Sequence, residues 1–255
     1  MSSLPLDVPK KEFAYTAFGA KHAAHLRLPA DSRSPLRGTV VLCTGSAMLA
    51  LDPSHSAVSG LEELATGLEN ALLEASFGVV RPESISRDPS PQHLLDATES
   101  LLDAAFKAGG AYGQRTIIAF SAAAPLLAIA AAQRKLDSMV LVSAPILEEF
   151  SNRPDRVEMS LVEHLGLSPE IAAGLGSLSP MSKSSQVAPR ALLVHGAADS
   201  IINEGDSIGW RASLAAAGIT ALITASPSGF AIAKFVGAAF LIYLGVRGWI
   251  MAKTP

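Results

Sequence analysis

The sequence predicts an α/β fold, in which a doubly wound, mostly parallel sheet is flanked by helices. Short apolar runs alternate along the chain with amphipathic stretches. Strands that are joined through helices pair in parallel and are covered on both faces. The composition agrees, because 49% hydrophobic and 17% charged residues among 255 suit one large globular domain.

The elements of this fold can be followed along the chain. Buried strands are predicted from apolar runs at residues 40–42, 79–80, 116–120, 139–143 and 191–195. Apolar residues recur at helical spacing from Leu61 to Leu73 and from Leu94 to Phe106, and an alanine-rich helix runs through Ala132. Residues 148–185 interrupt the alternation, and they could form either a lid-like insertion or a long connection.

The net charge and the cysteine content argue against several kinds of partner and site. A net charge of -3 argues against a nucleic-acid partner. The single cysteine, Cys43, excludes an internal disulfide and a cysteine-rich zinc site, and its apolar surroundings predict a buried, inert thiol. We expect no metal and no other cofactor. The N-terminal residues lack an apolar stretch of signal-peptide length, which predicts a cytoplasmic protein.

Ser121 is the candidate nucleophile. It lies between the predicted strand 116–120 and the alanine-rich helix, so its hydroxyl is expected at the carboxyl edge of the sheet. The backbone N–H of Ala122 could then help to stabilise an oxyanion. The stretch resembles the nucleophile elbow of the α/β-hydrolase superfamily, with Ala119 and Ala123 in place of the two glycines of G-x-S-x-G. A serine that only caps the helix after a buried strand is the alternative.

The same resemblance extends to two other segments. The sequence from His195 to Asp199 is similar to the superfamily's H-G-x-x-D turn, which implies that Asp199 is the acid of a Ser-His-Asp triad and that His195 is structural. Ser46 and Ala47 lie where the first oxyanion loop is expected, so the resemblance implies that one of their amides completes the oxyanion hole. A turn aspartate bonded to its own backbone is the alternative for Asp199.

The histidine base of such a triad has no counterpart in the sequence. The histidines are residues 22, 25, 55, 93, 164 and 195, whereas the superfamily's base would follow residue 206. Phe230 stands at the corresponding place in Ser-Pro-Ser-Gly-Phe. Because a serine hydroxyl without a base is a poor nucleophile, we expect weak or lost hydrolysis. His55 could substitute as the base, although a solvated loop histidine is the simpler interpretation.

The C-terminal segment differs from the rest of the chain. Residues 1–218 form the predicted hydrolase-like domain, and residues 219–255 are predicted as an apolar helical segment without any carboxylate. Residues 219–253 resemble a transmembrane stretch of the LysE/RhtB exporter family. Residues 230–251 are long enough to cross a bilayer core of about 30 Å, so they could contact a membrane. An ordinary C-terminal helix packed on the sheet is the alternative.

Three functions remain open on the sequence alone. The first is a serine-hydrolase-type enzyme that acts on an ester, thioester or amide of a small apolar molecule, impaired by its incomplete triad. The second is a lyase, isomerase or cyclase that uses the same pocket without hydrolysis. The third is a non-enzymatic or membrane-tethered module. The sequence leaves the oligomeric state open.

Overall fold

A computed structural model of the protein describes residues 10–17, 19–30, 35–49, 56–83, 91–110, 113–132, 134–145, 191–196 and 204–216. Within these ranges seven strands form one sheet in the order β1-β2-β4-β3-β5-β6-β7. The strands are β1 (Lys10–Ala17), β2 (Ala20–Arg27), β3 (Gly38–Cys43), β4 (Phe77–Pro82), β5 (Gln114–Phe120), β6 (Ser138–Val142) and β7 (Ala191–Val194).

The sheet is parallel except at one edge. Strands β3 to β7 pair in parallel, while β1 pairs antiparallel with β2 and β2 pairs antiparallel with β4. The predicted mostly parallel sheet is therefore confirmed. The antiparallel pair at the edge is absent from the prediction, because β1 and β2 bury few side chains and contain no continuous apolar run.

Five helices are described beside the sheet, namely α1 (Gly45–Leu49), α2 (Ser56–Glu74), α3 (Pro91–Ala108), α4 (Ala123–Ala131) and α5 (Glu204–Ala216). Side chains of α2 pack with one face of the central strands, and side chains of α3 and α4 pack with the other face. On α5, Trp210 is fully buried and its indole N–H donates to the carbonyl of Pro145, 3.1 Å away. The expected double winding is thus present.

The core strands carry the alternation that a sheet buried on both faces requires. In β3, Val40 and Leu42 pack on the α2 side, whereas Val41 and Cys43 pack on the α3 and α4 side. Cys43 is fully buried, as its apolar run predicts, and burial raises the pKa of its thiol to about 12. A thiol with this pKa is protonated at neutral pH, which makes it a poor nucleophile.

Several sequence predictions fall outside the described residues. They are the insertion or connection at residues 148–185, the domain boundary at 218, and the apolar helix at 230–251. Among the helices that the structure describes, none has both the length and the apolar character needed to span a membrane.

Candidate active site at the carboxyl edge of the sheet

Ser121 lies at the sharp turn between β5 and α4. Its φ of 53° is in the left-handed region, which non-glycine residues rarely adopt, and Ala122 already has helical angles of -58° and -20°. The Ser121 N–H donates to the carbonyl of Val142 at 2.9 Å, and its carbonyl accepts from the Ala124 N–H at 2.9 Å. These two bonds fix the turn on both sides, and the predicted strand-to-helix position of Ser121 is confirmed.

The helix-capping alternative for Ser121 does not fit this geometry. The residue at the N-cap of α4 is Ala122, and no side chain caps that helix end. Within the described part of the chain, the Ser121 hydroxyl has no hydrogen-bond partner, and the residue is only half-buried. The Ser121 hydroxyl therefore does not cap α4.

Small residues around the turn permit close packing. All nine residues of α4 are buried, including Ala123, which replaces the second glycine of the elbow pattern. Gly45 approaches the turn from the β3 side, since a Cβ built on it would lie 3.3 Å from the Ala122 backbone nitrogen. The loop after β3 and the start of α4 are thus in contact.

Thr44 caps the short helix α1 beside this contact. Its carbonyl accepts from the Met48 N–H at 3.2 Å, and its Oγ1 accepts from the Ala47 N–H at 3.3 Å. The Ala47 N–H is therefore already hydrogen-bonded to Thr44. The Ser46 amide, in the first helical turn, has no carbonyl partner inside α1. Of the two candidate oxyanion donors, Ser46 is therefore better suited than Ala47.

Glu62 of α2 contacts this loop, although its sequence context does not mark it as a site residue. Its Oε1 accepts from the hydroxyl of Thr44 at 2.5 Å and from the hydroxyl of Ser46. Its other oxygen, Oε2, accepts from the guanidinium of Arg81 on β4. The sequence signal for this cluster is slight, because Arg81 is the one charge in an apolar strand and Glu62 is one of four glutamates in α2.

Ser143 is a second residue that sequence reasoning missed. It follows β6 with a φ of 46°, and its N–H donates to the carbonyl of Val194 at 2.8 Å. The available signal was a similar pattern, because an apolar strand is followed by serine, alanine and proline at both sites, with three alanines after Ser121 and one after Ser143. His195 follows β7 directly and is half-buried. The ends of β5, β6 and β7 therefore place Ser121, Ser143 and His195 along one edge.

The remaining candidate residues cannot be placed. Asp199, His55 and Phe230 lie outside the described residues. Among the residues that are described, no group of three or more histidine, cysteine or acidic side chains is arranged to hold a metal ion.

Comparison with known proteins identifies the class of fold. No protein-family model matches the sequence, and neither does any curated protein. Among solved structures, Est1E from Butyrivibrio proteoclasticus is similar with a TM-score of 0.60 at 13% identity, covering 80% of this chain and 84% of that one. Carboxyl esterase 2 from Tuber melanosporum gives 0.58 at 14%, covering 93% and 88%. XC6422 from Xanthomonas campestris, described as an α/β serine hydrolase without a lid, gives 0.54 at 14%, covering 84% and 82%.

These similarities establish that the chain has the α/β-hydrolase fold. Sequence identities this low show the fold alone and not the reaction. Several other similar structures are much larger, and the chain covers only 35–36% of them. The three neighbours described above give no support to the exporter resemblance of residues 219–253, which stays a prediction.

Proposed function

We propose that the protein is a serine-hydrolase-type enzyme that cleaves an ester, thioester or amide of a small apolar molecule slowly, because its triad is incomplete. The observation that carries this proposal is the left-handed Ser121 at the β5–α4 turn. Holding a serine in this conformation costs about 1 kcal/mol or more, and such strain is concentrated at functional sites. Glycine would fit the turn without that cost.

In the proposed reaction, the Ser121 oxygen attacks the substrate carbonyl and its proton passes to solvent water, because the sequence lacks the superfamily's histidine base. The bond to the leaving alcohol, thiol or amine then breaks, and water hydrolyses the acyl-enzyme. Asp199 corresponds in sequence to the acid of the superfamily's triad. The backbone N–H groups of Ala122 and of Ser46 or Ala47 donate to the oxyanion that forms. Support comes from the contact between Gly45 and the Ala122 backbone, which brings the two donor segments together.

The proposed mechanism has no histidine in the position of the superfamily's base. No histidine follows His195 in the sequence, and Phe230 occupies the place that resembles the superfamily's histidine position. A phenyl ring has no nitrogen to accept the serine proton. By analogy with triads that lack one member, the remaining acceleration over water is about 10³- to 10⁴-fold, and it comes from the oxyanion hole and binding.

Hydrolysis of a short-chain p-nitrophenyl ester tests the proposal. We expect a slow rate that Ser121→Ala abolishes and that the matched Ser76→Ala control retains, because Ser76 has a similar φ but lies before β4, at the opposite edge of the sheet. A fluorophosphonate probe should label the wild-type protein at Ser121. A rate that survives Ser121→Ala would refute the proposal.

Two further variants define the base. A brisk wild-type rate would contradict the proposed impairment, and His55→Ala would then show whether that imidazole serves. Phe230→His should give at most a slight gain, because the exporter-like segment is proposed to have replaced the superfamily's histidine loop. A large gain from that substitution would instead indicate an intact hydrolase fold with one lost residue.

A further inference from the structure

A charged cluster lies behind the β3–α1 loop, on the α2 side of the sheet. One oxygen of the Glu62 carboxylate accepts hydrogen bonds from the hydroxyls of Thr44 and Ser46, and the two hydroxyl oxygens are 2.8 Å apart. Thr44 uses both of its capacities, since its hydroxyl donates to Glu62 while the same oxygen accepts from the Ala47 N–H. Two hydrogen bonds to one carboxylate, together with the bond from Ala47 to Thr44, thus tie the first turn of α1 to Glu62.

Arg81 in turn holds that carboxylate in place. Its Nη2 donates to Glu62 Oε2, while Nη1 lies 3.3 Å from Glu69 Oε2 and 3.2 Å from Thr66 Oγ1. The Arg81 side chain is 15% exposed, and that of Glu69 is 3% exposed. Charge-assisted hydrogen bonds in such partly desolvated surroundings are stronger and more directional than neutral ones.

The geometry points to Glu62, oriented by Arg81, as a positioning residue that holds the oxyanion loop against the Ser121 turn. This inference rests on the proposed hydrolase function, because only an oxyanion gives the loop its catalytic purpose. Glu62 itself acts through Thr44 and Ser46 and not on the substrate. Oxyanion donors stabilise the transition state only when they lie about 2.7–3.1 Å from the developing charge, so a small displacement of the loop is costly.

The chain offers a matched control for this role. Glu63 follows Glu62 in α2 but is exposed to solvent, so its removal makes the same chemical change without touching the loop. Arg81→Lys keeps the charge but loses the fork of the guanidinium, whereas Arg81→Met loses both. Glu62→Gln can keep an oxygen for the two hydroxyls only by turning its N–H₂ toward Arg81, where two donors then face each other.

The first measurement is the steady-state kinetics of p-nitrophenyl butyrate hydrolysis. We expect Glu62→Ala to lower the Ser121-dependent kcat about tenfold or more with little change in KM, since loss of a whole oxyanion donor costs about 10²- to 10³-fold. Glu63→Ala should leave both constants unchanged. Arg81→Met should lower kcat, and Arg81→Lys should restore part of it.

The second measurement is hydrogen–deuterium exchange of the peptide that contains residues 44–48, which needs no activity. Exchange should be faster in Glu62→Ala than in the wild type or in Glu63→Ala. Thermal unfolding establishes that each variant is folded, and Glu62→Gln replaces Glu62→Ala in both measurements if the alanine variant does not fold.

The outcomes separate this inference from the proposed function. Unchanged exchange in the Glu62 variant overturns the inference whatever the rate, and so does faster exchange with an unchanged Ser121-dependent kcat. If the wild-type rate proves independent of Ser121, the proposed function fails. In that case the exchange measurement still decides whether Glu62 holds the loop.

Discussion

The two faces of the sheet hold the two sides of the candidate site by different physical means. On the α3 and α4 face, the Ser121 turn is followed by a helix whose nine residues are all buried and apolar. On the α2 face, the β3–α1 loop rests on charged side chains, namely Glu62 and Arg81. Apolar packing is dense but non-directional, whereas charged hydrogen bonds fix orientation. The comparison indicates that apolar packing holds the Ser121 turn, whereas directional charged hydrogen bonds hold the β3–α1 loop.

On the α2 face, positively and negatively charged side chains lie close together and pair with one another. Glu69 places one carboxylate oxygen 3.5 Å from Arg27 Nη1 and 3.9 Å from His25 Nε2, and the other 3.3 Å from Arg81 Nη1. Burial lowers the pKa of His25, with Glu69 opposing the shift, so the imidazole favours its neutral form. The two guanidinium groups therefore match the two carboxylates of Glu62 and Glu69. Glu69 is almost fully desolvated and the two guanidinium groups are largely so, which makes these three charges dependent on their partners.

The largest expected effect is on the apolar face. Leu127→Ala in α4 removes a fully buried side chain and should lower the free energy of unfolding by about 3 kcal/mol through lost burial and a residual cavity. Urea denaturation at low and high salt would measure this loss, which should be the same at both ionic strengths. A loss below 1 kcal/mol would show that α4 is not the rigid support that its burial implies.

The next effect concerns the charged face. Glu69→Gln leaves Arg27 without its charged partner, while Arg81 keeps Glu62, so we expect a loss of about 2 kcal/mol in unfolding free energy. Glu63→Gln is the matched control, because it makes the same change at an exposed position of the same helix. If both variants unfold alike in urea, the charged face contributes no more than an ordinary surface, and the contrast between the two faces is lost.

The sequence predicts the apolar α3 and α4 face of the sheet better than the charged cluster on the α2 face. The apolar strands and the alanine-rich helix are local patterns, so β3 to β7, α4 and the position of Ser121 follow from periodicity and from one motif. The Glu62–Arg81 pair is not local. It depends on the parallel register that sets Val41 beside Val80, which brings Arg81 close to the end of β3. Periodicity within one segment contains no information about that register.

The edge hairpin and Ser143 were missed for different reasons. Strands β1 and β2 lie at the sheet edge with many exposed residues, so their hydrophobic alternation is incomplete. The left-handed backbone of Ser143 requires a particular hydrogen bond, from its N–H to Val194 on the next strand. Residue type alone does not predict a positive φ in serine, which usually avoids that region.

The smallest expected effect tests the strain at Ser121 itself. Glycine adopts a φ near 53° without steric cost, but it also adds conformational freedom to the unfolded chain. The two effects oppose each other, so Ser121→Gly should raise the unfolding free energy by only about 0.5 kcal/mol. Ser76, with a φ of 66° at the turn between α2 and β4, is the matched control, and Ser76→Gly should give a similar gain.

Ser121→Gly and Ser76→Gly should be similar in unfolding free energy but should differ in esterase activity. Ser76 lies before β4, at the sheet edge opposite to Ser121, so Ser76→Gly should keep the full p-nitrophenyl ester rate while Ser121→Gly loses it. If both variants are equally stabilised but only Ser121→Gly loses activity, the Ser121 hydroxyl is needed for activity although glycine suits the backbone conformation better. If Ser121→Gly instead destabilises the fold by about 1 kcal/mol or more, the hydroxyl makes a structural hydrogen bond of ordinary strength. The strain argument for Ser121 as a nucleophile would then fail.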